Sequence, residues 1–189
     1  MIGIYLAVIL NFSYAQNENK VPLSPCQIEM AKELRKKFNL EKLPLKIEEA
    51  SQFCDKNFCT TFKFTKGGNF KKNLLPAGAE IRFCKDGGLT SIARNDGQGL
   101  DAGDGLVCSN RMDYCGSTIS CELGKPYKTH EFILPAGTKI NFVSGENIYS
   151  FYLLENTKNG SKILKAKTGY KMVNGQPKEG DSDMSCETN

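Results

Sequence analysis

The segment Leu75-Pro76-Ala77-Gly78-Ala79-Glu80-Ile81-Arg82-Phe83 recurs as Leu134-Pro135-Ala136-Gly137-Thr138-Lys139-Ile140-Asn141-Phe142, an ungapped shift of 59 (134 minus 75). In both copies Pro-Ala-Gly bends the chain and offers a positive φ. Ile and Phe then fall on one side of a strand, with a polar residue between them on the other. The phase continues past each Phe, where Leu89, Ser91 and Ile92 match Ile148, Ser150 and Phe151. A hairpin of this kind cannot bury its apolar face alone, so the two copies are expected to share one sheet or to pack on each other. They define repeat units at about 60–92 and 119–153, separated by an insert at about 93–129.

Alternation governs the chain beyond Leu40. Phe62 and Phe64 flank Lys63, while Leu164, Ala166, Thr168, Tyr170 and Met172 alternate with Lys165, Lys167, Gly169 and Lys171. A period of two belongs to half-buried strands. Gly67-Gly68, Gly87-Gly88, Gly145-Glu146-Asn147, Asn159-Gly160 and Asn174-Gly175 separate them, which suits antiparallel hairpins. Only near the N-terminus is the period helical. Ser24-Pro25-Cys26-Gln27 combines an N-cap serine, a proline at the first helical position and a capping-box glutamine. Ile28, Ala31, Leu34 and Phe38 add an apolar stripe, so a helix is expected over about 24–39. The predicted fold class is mainly β (α+β): an N-terminal helix followed by antiparallel β-hairpins, braced by disulfides.

The first 15 residues read as a signal peptide, apolar from Met1 to Leu10, with the small residues Ser13 and Ala15 before an expected cleavage and a polar stretch from Gln16. The rest, 16–189, is expected to form a single β-rich domain. All eight cysteines follow that point, and in an oxidising compartment an even number pairs, so four disulfides are expected. Cys54 with Cys59, or two of Cys108, Cys115 and Cys121, would close local loops. Cys186 would tie down the tail. Zinc is disfavoured because there are no paired C-x2-C knuckles and only one histidine.

With L-P-x-G-[AT]-x-I-x-F followed by a glycine turn, residues 75–92 and 134–151 resemble exported bacterial, spirochaete-like proteins built from strand-turn repeats. The resemblance implies a secreted or surface location and a repeated strand architecture.

The chain of 189 residues is 40% hydrophobic and 24% charged, the composition of a globular protein rather than a disordered or collagenous one. A net charge of +4, with lysines spread over helix, strands and tail, lacks the concentrated basic face expected for nucleic-acid binding. No second long apolar stretch follows the leader, so no integral membrane segment is expected. Asn159-Gly160-Ser161 would be a glycosylation site only in a eukaryotic secretory pathway.

Candidate chemistry is sparse. Asp96, Asp101 and Asp104 lie on a glycine-rich stretch, Asn95 to Gly105, and are the candidate calcium ligands, although the spacing lacks the bidentate Glu of an EF-hand. His130 is the only histidine, and any Ser-His or Cys-His mechanism would have to use it. Glu48 and Glu49 are neighbours in sequence, which on a strand aims them at opposite faces. The insert carries Arg111, Tyr114 and Tyr127 among its cysteines, and Tyr and Arg are common contact anchors. The leading expectation is a secreted or envelope-associated non-enzymatic binding protein that recognises an extracellular or envelope protein or glycan through these three residues. The alternatives are a secreted effector or enzyme inhibitor, and a hydrolase using distant carboxylates or His130.

Overall fold

A computed structural model describes residues 22–129, 132–143 and 148–180. The expected leader, His130 and the tail with Cys186 lie outside them. Helix α1 (Pro25–Lys37) starts as the sequence predicts. Ser24 Oγ accepts from the Gln27 N–H, the Gln27 side chain accepts from the Ser24 N–H, and Pro25 opens the helix. Ala31 and Leu34 are buried, and Phe38 stacks on Phe83 with ring centres 4.7 Å apart. No helix among the described residues is long and apolar enough to cross a membrane.

The rest is mainly strand. After β1 (Leu45–Ala50), the chain repeats one path four times: a strand, a miniature hairpin, and a second strand antiparallel to the first. The first pass is β2 (Cys59–Phe64), hairpin β3 (Gly68–Phe70) with β4 (Asn73–Leu75), then β5 (Glu80–Cys84). The second is β6 (Gly88–Ala93), then β7 (Leu100–Gly103) paired to the start of β8 (Leu106–Cys115), whose second half pairs with β6. The third is β9 (Thr118–Leu123), β10 (Tyr127–Lys128) with β11 (Ile133–Leu134), and β12 (Lys139–Val143). The fourth is β13 (Ile148–Leu153), β14 (Thr157–Asn159) with β15 (Lys162–Leu164), and β16 (Thr168–Val173), after which β17 (Gln176–Glu179) adds an edge. Together β1, β2, β5, β6, β8, β9, β12, β13, β16 and β17 lie side by side in that order, with β7 on β8, as one antiparallel sheet.

The four passes share equivalent backbone pairings, although the second is one residue longer. The N–H groups of Phe64, Arg94 and Leu123 donate to the carbonyls of Ala79, Asn110 and Thr138, and the Gly78, Gly137 and Lys167 N–H groups donate to Phe64, Leu123 and Leu153. The two segments matched in sequence therefore hold equivalent places. Segments 106–114 and 164–172 hold the same place without the Pro-Ala-Gly signature. Residues 93–129, expected as an insert, instead supply β8 and β9 in the interior of the sheet and β7, which pairs with β8 off the main strand path. Their apolar phase matches the flanking units, and burial selects for phase.

One face of the sheet is the core. Phe62, Ile81, Ile92, Met112, Cys121, Ile140, Phe151 and Tyr170 form a row across eight strands, all buried. The miniature hairpins fold over that row with Leu75, Leu106, Leu134 and Leu164 inward, also buried. Burial of one such leucine is worth about 1.5–3 kcal/mol. Cys26–Cys54 ties the helix to the β1–β2 loop, Cys59–Cys84 joins paired strands, and Cys108–Cys121 joins β8 to β9. Cys115 is also disulfide-bonded. Cys54 thus bonds a distant cysteine rather than Cys59.

Candidate functional site

Strand alternation sends every second side chain to the face away from the hairpins. There Thr61, Arg82, Ser91, Asp113, Ser120, Asn141, Ser150 and Lys171 line up as one cross-strand row. Ser91, Asn141 and Ser150 are small and buried, and the Asn141 amide donates to Ser150 Oγ at 3.1 Å. At the β1 end ion pairs occupy this face: Lys63 bridges Glu48 and Glu80 at 3.0 and 3.1 Å, and Arg82 reaches Glu49 at 3.6 Å. Those two carboxylate hydrogen bonds raise the Lys63 pKa above its ordinary value. Glu48 and Glu49 are thus both held by cations.

Toward the middle of the sheet the face opens into a groove of about 470 Å³ lined by Ser109, Arg111, Asp113, Ser120, Glu122 and Lys139. Arg111 is exposed and its guanidinium donates to Asp113 at 2.8 Å, which raises the Arg111 pKa. Lys139 stands directly across from Glu122, with Tyr152 on its other side. Two cations and two carboxylates therefore alternate around a floor of hydroxyls. Such a surface offers paired donors and acceptors with little net charge. In the sequence, the only signal for this pair is that Lys139 falls in the polar phase of the repeated segment.

The other two expected contacts lie elsewhere. Tyr114 is three residues from Arg111 and so faces the other side of β8, where it holds the position of Phe83 and Phe142 and packs against the core. Burial pushes its hydroxyl up to about 12. Tyr127 is half-buried on β10, packed against the same core. Arg111, Tyr114 and Tyr127 do not converge on one surface.

The aspartate loop has an internal explanation. Arg94 holds the position filled by Phe64, Leu123 and Leu153, and it too is buried. A buried guanidinium needs hydrogen-bonding partners. It donates to both Asp96 carboxylate oxygens at 2.6 Å and to the Gly99 carbonyl at 3.0 Å. A Cβ at Gly99 would lie 2.8 Å from the Cys108 carbonyl oxygen, so only glycine fits there. Asp101 accepts from the Gly103 N–H at 2.8 Å, and Asp104 holds a φ of 52°. Asp96, Asp101 and Asp104 form no cluster able to hold a metal, nor do any three His, Cys, Asp or Glu among the described residues.

Set against protein-family models, curated proteins and solved structures, the chain matches none.

Proposed function

We propose that this protein is a secreted or envelope-associated, non-enzymatic binding protein whose polar sheet face meets a protein or glycan partner. The groove bounded by Arg111, Asp113, Glu122 and Lys139 carries the reading. It is broad and rich in both donors and acceptors, and it lies on strands that cannot shift without breaking the sheet. A preorganised surface loses little entropy on binding. The three described disulfides are consistent with an exported protein.

The test is capture from envelope and extracellular extracts, and from a glycan array, by the oxidised protein and by an Arg111→Ala/Lys139→Ala variant. Both side chains stand on the polar face, so the variant is expected to melt near wild type and to lose partner capture about tenfold or more. Wild-type capture by this variant would reject the surface.

A further inference from the structure

Lys71 and Lys72 form the tip of the β3–β4 hairpin, and Lys71 takes a φ of 51° there. Asn73 fastens that tip to β7: its side-chain oxygen accepts from the Asp101 N–H at 2.7 Å, and its amide donates to the Asp101 carbonyl at 3.1 Å. The tip therefore projects over Tyr114 and the β8–β9 turn, and the Lys71 ammonium sits 4.4 Å from the centre of the Tyr114 ring. Between them lies a cleft of about 420 Å³ whose walls include Lys71, Lys72, Asp101, Tyr114, Gly116 and Ser117. Among the described residues no carboxylate forms an ion pair with Lys71 or Lys72. An exposed lysine laid against an aromatic face at a cleft wall, with no carboxylate paired to it, keeps its donors free for an anion.

We propose that this cleft binds an oxyanion, a phosphate or sulfate group taken between the Lys71 and Lys72 ammonium groups with the Tyr114 and Ser117 hydroxyls alongside. A tetrahedral oxyanion supplies the missing negative charge and accepts several hydrogen bonds at once. The Asp101 carboxylate, the one anionic side chain on the walls, already accepts from the Gly103 N–H. Partial desolvation in the cleft lowers the Lys71 pKa, and a bound anion would raise it again. The site is independent of the polar-face groove, since Tyr114 and Arg111 lie on opposite faces of β8.

The experiment titrates the oxidised protein by calorimetry and by amide NMR with inorganic phosphate, inorganic sulfate, glucose 6-phosphate and glucose 6-sulfate, each against chloride at matched ionic strength. Saturable shifts at the Gly116 and Ser117 amides, absent with chloride, are expected. Saturation by the inorganic ions assigns the site to a free oxyanion; saturation by the esters alone assigns it to an oxyanion carried on a larger ligand. Lys71→Gly suits the left-handed backbone, so it should fold at least as well while weakening binding about tenfold or more. Affinity should fall as pH rises past the lowered Lys71 value, while Tyr114 stays protonated to about 12, and Lys71→Arg should hold its affinity over that range. No saturation by any of the four probes, a response equal to that of chloride, or wild-type binding by the Lys71→Gly/Lys72→Gln variant would overturn the proposal.

Discussion

The Arg94 guanidinium grips both oxygens of Asp96 at 2.6 Å, in a place where the other three strand units bury Phe64, Leu123 and Leu153. Arg94 is 8% exposed, so the fold has put a cation where it elsewhere puts a hydrocarbon. Replacing a buried ion pair by a well-packed apolar side chain is often neutral or stabilising, whereas deleting one partner leaves a void and stranded acceptors. Arg94→Leu/Asp96→Ala, which replaces the whole pair, is therefore expected to melt within a few degrees of wild type or above it, and Arg94→Ala several degrees below, about 2–4 °C for each kcal/mol lost. Equal losses in both variants, measured by thermal unfolding, would show that the charge itself is required.

The same pair has a pH signature. The Arg94 hydrogen bonds hold the Asp96 carboxyl below its ordinary range. A depressed folded-state pKa contributes stability that is fully present above the unfolded value, about 4, and is lost as pH falls through the folded one. The difference in melting temperature between wild type and Asp96→Asn should stay constant from neutrality to about pH 5 and shrink below about pH 4. A difference that widens on acidification would contradict the pairing.

Much of this fold is visible in the chain itself, and the omissions have physical causes. Ser24 and Pro25 mark the helix because capping is local, and Leu75-Pro76-Ala77-Gly78 and its copy mark two units because that turn needs a positive φ, +85° at Gly78 and +83° at Gly137. The fourth unit meets the same need with Lys167 at +55°, which no glycine search detects. In the second, β8 runs straight from hairpin into sheet and there is no such turn to find. Arg94 looks like a surface cation until the register places it beside leucines. Tyr114 looks like a contact residue until the register places it beside Phe83 and Phe142. The cleft above it joins residues from β3–β4 and β8–β9 that are far apart in sequence, and only the meander brings them together.

If the four units are structurally equivalent, their inward leucines should be energetically comparable. Leu75, Leu106 and Leu134 are 0%, 4% and 0% exposed, though Leu106 lies in a segment without the repeated signature. Each Leu→Ala substitution is expected to cost about 2–5 kcal/mol in denaturant unfolding. A cost for Leu106→Ala below about 1 kcal/mol, with the other two in that range, would remove the second unit from the set.

Tyr170 is the buried aromatic where Ile81 and Ile140 stand in the first and third units, and the reason lies five residues earlier. Those units carry Pro76 and Pro135, which have no N–H to satisfy. The fourth has Lys165 instead, and its N–H donates to the Tyr170 hydroxyl at 2.7 Å. That hydroxyl sits on a ring stacked against Phe151, with centres 5.2 Å apart. The tyrosine thus answers a donor that proline elsewhere removes. Tyr170→Phe should cost about 1–2 kcal/mol in the native background, because the Lys165 N–H is left without its acceptor. In a Lys165→Pro background, compatible with the turn since prolines hold the equivalent places, the same substitution should cost about 1 kcal/mol less. A double-mutant cycle by chemical denaturation measures the difference directly, and equal costs in the two backgrounds would mean that the hydroxyl acts through a partner other than the Lys165 N–H, such as the Lys165 carbonyl to which it donates at 3.4 Å.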